Sequence, residues 1–572
     1  MAYIDALNAN AAFVEKLGEG NAHLVWTLAM YLEEPDFEAL ASEALTDGPD
    51  DKKIDFIYLD RDAKRIVFAQ GYYGAKKADQ APANKASDLN TAAAWILSGD
   101  LDSVPEQLRT VISECRNAIT ESEIEVVELL YVHNYPESVN VTKELQTAAE
   151  HVRKAMNDSV AVTVIARELG TSMIEHLFAT QDSHIEVKDQ ISCPAKIAFT
   201  EKGPTWKAYV ASVPGEWLHG LYATYGDKLF SANYRGFLGI TRRRRINTGI
   251  RQSAETKPKD FWVFNNGITL LTLAHQSGKD DCELTGISII NGAQTTGSIG
   301  SVDIKRSDLK DVKVLCRMIE CTDTQTINEI VKFNNTQNEI TTWDQYSNDS
   351  EQNRIETEFF ELGHVYNKKR GFQSKGDQIG IEEVAQPLLA FHGRYQDANR
   401  GKNQIFDRKP LYQNAFDGKK ARHVLFVYSL ARAIDERRIE LKLKSTAKTI
   451  ISMEEDQLAL LRNLRFKHFL IAVTAQTIET IVGRKADSMT IAFSSDAAKV
   501  TNNTLIDLAA RWAPIVEVIL TFVASKLNLT EFVARASDDN LLSETAKHVS
   551  SMLYATKAAD RHSQFARLTS AS

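Results

Sequence analysis

This chain predicts a multidomain fold, α/β at its start, mixed α+β through its middle and helical at its end, on three observations. Its 572 residues exceed what one hydrophobic core supports. Short β-branched runs alternate with helical periodicity up to about residue 390, and helical periodicity alone continues from Ala421. The composition, 43% hydrophobic and 25% charged, is that of a globular protein and excludes fibrous and disordered classes. The expected divisions are an α/β domain over 1–160, an α+β domain over 161–393, and a linker with a helical domain over 394–572.

In the first division a helical stretch, Ala11 to Leu32, precedes a strand at Ile54 to Leu59. Asp60-Arg61-Asp62 turns the chain into a second strand, Arg65 to Gln70. Helical patterns follow at Ala86 to Leu97 and Val104 to Ile119, then a strand from Ile124 to Val132 and a helix from Thr142 to Met156. The middle carries strand patterns at Ala195 to Thr200, Ala208 to Val213, Ile287 to Ile290 and Val312 to Ile319, with helices at Gly215 to Tyr225 and Gln325 to Phe333. Arg394 to Arg422, rich in Asn, Lys, Arg and Gly, reads as a linker or long surface loop. Farther on, Ser452-Met453-Glu454-Glu455 has the form of a capping box, Asn503 is placed to cap a helix, and Pro514 should kink it.

A net charge of -9 means that the whole molecule is not a nonspecific polyanion binder, so nucleic-acid contact requires local basic patches. The five cysteines, odd in number and without a CxxC pair, argue against structural zinc and a disulfide framework and suit a reducing cytosol. No basic-then-apolar leader opens the chain, and the longest apolar stretch, Ala513 to Ala524, contains Glu517 and is too short for a bilayer. A cytoplasmic protein with no membrane partner is expected.

Three amide-rich stretches stand beside apolar runs: NNGIT (Asn265 to Thr269), INGAQTT (Ile290 to Thr296) and NNTQNEI (Asn334 to Ile340). Carboxamides next to Ile and Val are costly unless they bond to backbone, to one another or to a ligand. A single Asn of this kind is ordinarily a turn residue; three stretches together suggest one convergent polar site. INGAQTT reads as a strand end, an Asn-Gly turn and a helix start whose free amides can hold an anion. The candidate ligand-binding residues are Arg235, Asn265, Asn266, Asn291, Gly292, Gln294, Thr295, Asn334, Asn335, Gln337 and Asn338. Arg242-Arg243-Arg244-Arg245 cannot share one helix face, so a turn or strand edge is expected there. With Arg235, Arg251, Lys257 and Lys259 the run makes a local basic surface suited to phosphate backbone or simply to solvent. Tyr222, Tyr225, Phe230 and Tyr234 are interleaved and could stack bases or fill a core.

These stretches, in the order YRGFLG (Tyr234 to Gly239), FNNGIT, IINGAQTT and FNNTQNEIT followed by Trp343-Asp344, resemble the bacterial abortive-infection phage-resistance (AIPR) family. The Tyr366 to Gly371 turn and the Leu411 to Phe416 segment agree, so the likeness covers residues 220 to 420. It implies antiphage defence by an AIPR-type central domain and names no reaction. Earlier, Asp47-Gly48-Pro49-Asp50-Asp51-Lys52-Lys53-Ile54-Asp55, a hairpin and Ala69-Gln70-Gly71-Tyr72 resemble the PD-(D/E)XK nuclease core. That likeness implies a restriction-endonuclease-like domain in which Asp55 and Gln70 ligate Mg²⁺, with Glu15 or Glu19 as a third ligand. The pattern wants Lys where Tyr72 stands, and a phenol supplies no positive charge at neutral pH. Lys76 or Lys77 would then have to supply it from the following loop.

Two functions fit this chain. One is a defence protein that binds nucleic acid, DNA or RNA, and cleaves it by Mg²⁺-dependent phosphodiester hydrolysis. The other is a non-catalytic sensor or adaptor with a degenerate nuclease-like domain, whose central domain recognises a phosphate-bearing ligand or nucleic acid. In either case the helical end packs on the other domains, forms a homo-oligomer or meets a partner defence protein. A weaker signal, Arg462 and His468 at a spacing that resembles the RNase motif of HEPN domains, points to a third class, metal-free RNA cleavage.

Overall fold

The computed structural model describes residues 2–46, 52–76, 78–156, 162–182, 185–233, 244–304, 309–335, 349–368, 371–536, 538–558 and 562–570. The chain forms two compact units: unit 1 is Met1–Ser172 with Thr341–Ser572, and unit 2 is Met173–Ile340. Unit 2 is thus an insertion in the sequence of unit 1. This differs from a three-part division of the sequence, because residues 341–393 and the helical end both belong with the N-terminal sheet.

The sheet of unit 1 has the order β1 (Phe56–Asp60), β2 (Arg65–Tyr72), β3 (Val126–His133), β4 (Thr163–Leu169). β1 and β2 are an antiparallel hairpin, while β3 and β4 each add in parallel. Parallel neighbours need crossovers. Helices Ala83–Ser98 and Glu106–Thr120 supply the first and Val139–Ala155 the second. Ser138 starts that last helix, its hydroxyl accepting from the Val141 amide at 3.2 Å. Every residue of β3 is buried, and Ile57, Leu59, Phe68, Val127 and Leu129 pack against Leu89, Ile112 and Leu145 of the crossover helices. On the opposite side of the sequence, helix Ala11–Leu32 is interrupted at Gly18, whose φ of 77° and ψ of 157° are not helical.

The rest of unit 1 is mostly helical, with two short two-stranded ladders, around Ala421–Thr446, a helix buried along most of its length and packed on Leu505–Ala524 and on Phe37–Ala44. Buried ion pairs fasten this helix to the start of the chain. Arg432 reaches Asp36 at 2.8 Å and also bonds Glu38, while Lys442 Nζ donates to the carbonyls of Ser42 and Leu45 at 2.6 and 2.8 Å. Lys402 bonds Glu34 at 2.7 Å in the same way. The expected linker at 394–422 is corrected: short helices Tyr395–Ala398, Lys402–Asp407 and Lys409–Phe416 occupy it, and Ile405, Phe406, Leu411, Tyr412 and Phe416 enter the core. Ser452 is the first residue of its helix rather than its cap, so Glu454, not Glu455, turns back to the Ile451 amide at 3.3 Å. Thr504 rather than Asn503 caps Leu505–Ala524, and that helix continues through Pro514.

Unit 2 is a six-stranded sheet in the order β5 (Val187–Cys193), β9 (Cys282–Asn291), β8 (Ile268–Ser277), β10 (Lys313–Cys321), β7 (Trp206–Pro214), β6 (Ile197–Lys202). β8 and β10 are parallel, and the remaining pairs are antiparallel. One face, with Ile268, Leu270, Ile289 and Met318, packs on Leu218 and Leu221 of Gly215–Tyr225, on Ala254 of Arg244–Thr256 and on Ile299 of Ala293–Gly300. The other, with Leu271, Ile290 and Ile319, is covered by Ile327, Ile330 and Val331 of Thr324–Asn335. All five cysteines are buried free thiols. No helix among the described residues is long and apolar enough to cross a membrane.

Candidate functional site

In unit 2, strand register brings the amide stretches to one place. Thr269 pairs with Asn291 across β8 and β9 and with Arg317 across β8 and β10, so the start of β8, the end of β9 and the middle of β10 coincide. Asn265 caps its own turn, Oδ1 accepting from the Gly267 amide at 2.8 Å, and its Nδ2 donates to Thr295 Oγ1 at 3.0 Å. Asn291 Nδ2 donates to the Asn334 carbonyl at 3.3 Å. Arg317 donates to Thr269 Oγ1 at 3.3 Å and also to Asn334 Oδ1. Asn334 Nδ2 donates to the Ile330 carbonyl at 2.8 Å. Two bonded groups result, Asn265 with Thr295 and Asn291 with Asn334 and Arg317, and much of their bonding capacity is engaged by the chain itself.

Other groups remain open. Asn266 is exposed and Gln294 half-buried, and neither side chain bonds to a described residue. Arg317 is exposed and keeps further N–H groups beyond the two bonds it makes. Gly292 has φ +88°, and a Cβ there would lie 2.6 Å from Ile268 Cγ2 and 2.8 Å from the Gly267 carbonyl oxygen, so the turn requires glycine. It starts helix Ala293–Gly300 with no side-chain cap, leaving first-turn amides available.

Arg317 is the residue that sequence reasoning missed. Its one advance signal is a guanidinium inside an otherwise apolar strand pattern, KVLCRMIEC. The aromatic expectations shift as well. Phe230 is fully buried and Tyr222 and Tyr225 pack against the core. The exposed rings are instead Trp262 and Phe264, 39% and 58% exposed, immediately before Asn265, with Lys257 Nζ 5.7 Å from the Phe264 centroid. Arg235, Arg242, Arg243, Tyr234, Gln337 and Asn338 lie outside the described residues. Arg244 and Arg245 begin helix Arg244–Thr256 rather than a turn or strand edge, and Asn335 ends Thr324–Asn335; the side chains of these three also lie outside the description.

In unit 1 the hairpin brings Asp55 and Gln70 into contact. Asp55 immediately precedes β1, and its Oδ2 accepts from Gln70 Nε2 at 2.6 Å and from the Gly71 amide at 2.7 Å. Gln70 is 4% exposed, and its Oε1 is buried without a hydrogen-bond partner. An amide beside an unneutralised carboxylate turns its NH₂ toward it; a cation between the two would draw Oε1 instead. Mg²⁺ takes few protein oxygens and keeps waters and substrate phosphates, so Asp55 and Gln70 Oε1 fit it as a two-donor set. Among the described residues no three His, Cys, Asp or Glu gather as metal ligands. Glu15 and Glu19 are exposed, and Glu19 acts on Tyr73, whose phenol is raised first by burial and then by that carboxylate.

Tyr72, standing where the nuclease pattern wants Lys, stacks on Tyr135 with centroids 5.9 Å apart. Tyr135 in turn donates its hydroxyl to the Lys76 carbonyl at 2.6 Å, and the Lys76 side chain is exposed. Lys77 lies outside the described residues. Of the Arg462 and His468 pair, His468 Nδ1 contacts Asn399 Oδ1 at 2.7 Å, and burial pushes its pKa down to about 3.

A family model described as AIPR protein matches residues 230–559, more than half of the chain. The matched span holds all three amide stretches and excludes Asp55 and Gln70. No curated protein and no solved structure matches this chain.

Proposed function

The chain belongs to the AIPR family, a membership consistent with a role in antiphage defence, and from that premise we propose that it acts by recognition, unit 2 binding nucleic acid or another phosphate-bearing ligand. The observation that carries this reading is the meeting of three separate amide stretches around Arg317, with Asn266 and Gln294 left open to a ligand. A guanidinium and first-turn helix amides suit phosphate oxygens. Carboxamides suit base edges, and Trp262 and Phe264 offer ring faces beside them. Fluorescence anisotropy with labelled single-stranded DNA, RNA and duplex DNA tests it. Binding should weaken between 50 and 200 mM salt, as phosphate contact demands, and fall at least tenfold in Arg317→Ala. Affinity unchanged in both Arg317→Ala and Gln294→Ala would remove the reading.

A second function, metal-dependent cleavage, is favoured by one observation, the buried Gln70 Oε1 without a partner beside Asp55. Asp55 and Gln70 would hold Mg²⁺, which when bound polarises a phosphoryl group and makes water more acidic. Tyr72 brings no charge to that place, so an exposed lysine such as Lys76 must approach the phosphate. Incubating the chain with plasmid, linear DNA and RNA, with and without Mg²⁺, separates the two functions. Cleavage that needs Mg²⁺ and is lost in Asp55→Ala establishes the nuclease; cleavage kept in that variant excludes Asp55.

A further inference from the structure

Helix Ala421–Thr446 places Arg438 and Lys442 one turn apart on one face. Both line a small cleft in unit 1 of about 90 Å³, partly open to solvent, together with Arg462, Glu43, Gln107 and Thr446. Three of the four charged side chains are cations. Asp435 pairs with Lys467 at 2.5 Å and Glu114 faces Arg61 at 3.7 Å, and both carboxylates also act on Arg438 from a distance.

The cations are incompletely satisfied. Arg438 is 5% exposed; it donates Nη2 to the Arg462 carbonyl at 3.3 Å, and its buried Nε has no hydrogen-bond partner. A buried guanidinium N–H left without an acceptor is destabilising. Nε and an Nη of one guanidinium form a two-pronged donor that matches two oxygens of an oxyanion. Lys442 uses two of its three N–H groups on the carbonyls of Ser42 and Leu45. Its ammonium is held well below the ordinary lysine range, by burial first and then by Arg438 and Arg462. Burial, the largest effect, lowers the Arg438 and Arg462 guanidinium values too. None of the carboxylates around them bonds the Arg438 Nε, and an anion in the cleft would supply that acceptor.

We propose that this cleft is an anion site that takes the phosphate group of a small ligand, with Arg438, Lys442 and Arg462 as donors. Glu43 is the one carboxylate lining it and opposes the anion. The site lies in unit 1, apart from the Arg317 cluster of unit 2, so it stands or falls independently of the recognition function.

Isothermal titration of the full chain with inorganic phosphate, pyrophosphate and adenosine monophosphate tests it, the three probes separating free phosphate from a phosphate carried by a nucleoside. At least one probe should bind saturably. Arg462→Gln should weaken that binding at least tenfold, and Glu43→Gln should tighten it several-fold by removing the opposing charge. Circular dichroism checks that each variant is folded, and Glu43→Gln decides the matter if Arg462→Gln is not. Three results overturn the proposal: no saturable binding of any probe by the folded chain, an affinity that neither cleft variant changes, or binding abolished by Arg317→Ala.

Discussion

Replacing Arg432 by Leu probes how the two sequence segments of unit 1 hold each other. Arg432 is buried, with Nη1 2.8 Å from Asp36 and Nη2 bonded to Glu38, residues 396 and 394 positions earlier. Tyr428 adds its hydroxyl to Asp36 at 2.9 Å and touches Glu383, whose carboxyl burial pushes up to about 8. Leucine fills much of the hydrocarbon volume of arginine but leaves two carboxylates facing one another without a cation. Removing one partner of a buried ion pair costs about 3–5 kcal/mol, a large part of the roughly 5–15 kcal/mol that holds a folded unit. With a urea dependence of about 1–3 kcal/mol per molar, the midpoint should fall by roughly 1–5 M. Hydrogen exchange at increasing urea, read on peptides around Trp26 and Trp512, follows the two segments separately, both indoles being fully buried. Both peptides should lose protection together, while those of β8 and β9 keep theirs. The combined variant Arg432→Leu, Asp36→Asn, Glu38→Gln should recover most of the loss, since Asn still caps Phe37–Ala44 and no bare charge remains. An unchanged midpoint in Arg432→Leu, or a combined variant no better than the single one, would refute the charge-based account.

Other consequences are as direct. His23, His392 and His423 are buried, and burial pushes their pKa values from 6.5 down to about 3, 2 and 4. As pH falls below 6.5 the unfolded chain takes up protons that the folded chain refuses, so the stability these rings provide is complete above 6.5 and declines toward their folded values. Each should forfeit about 2 kcal/mol between pH 7 and 5, and a melting temperature that did not fall over this range would contradict it. Gly292→Ala should weaken ligand binding by unit 2, because the added methyl must displace Ile268 or the Gly267 carbonyl at the head of Ala293–Gly300; full affinity in a folded variant would show that the turn has room. Gln70→Glu places a second carboxylate against Asp55, so Mg²⁺ should raise its melting temperature more than that of the native chain, and an equal response would count against the two-donor set. Trp262→Ala should cost about 1–3 kcal/mol of single-strand binding if the ring stacks on a base, with no loss on pyrophosphate.

The legible strand patterns at Arg65 to Gln70 and Ala208 to Val213 lie within β2 and β7, whereas β4, β5 and β8 carry β-branched residues yet escape the pattern, their runs being interrupted by polar residues or opening on a turn stretch. The carboxamides of Asn265, Asn291 and Asn334 are spent largely on backbone and hydroxyl groups of the chain itself, the turn and capping role that any one such residue ordinarily has. Arg317 was not legible, since its place depends on a register between strands that no local pattern specifies. Residues 394–422 misled through their polar composition: Ile405, Phe406, Leu411, Tyr412 and Phe416 are few among many charged neighbours, yet they are the residues that pack. The helical periodicity from Ala421 onward does not say which basic positions of Ala421–Thr446 are buried. Arg432 and Arg438 are buried because their counter-charges and neighbours come from the start of the chain, hundreds of residues away.

The insertion of 173–340 inside unit 1 also sets a timetable for synthesis. Asp36, Glu38 and Glu34 emerge from the ribosome long before Arg432 and Lys402, their cationic partners. At elongation rates of roughly 5–20 residues per second, the wait after residue 172 is on the order of 15–50 s, ample time for the inserted sheet to complete itself. The nascent N-terminal segment must spend that interval half-built, with apolar surface uncovered. A stalled or truncated message would therefore yield a finished unit 2 tethered to a chaperone client.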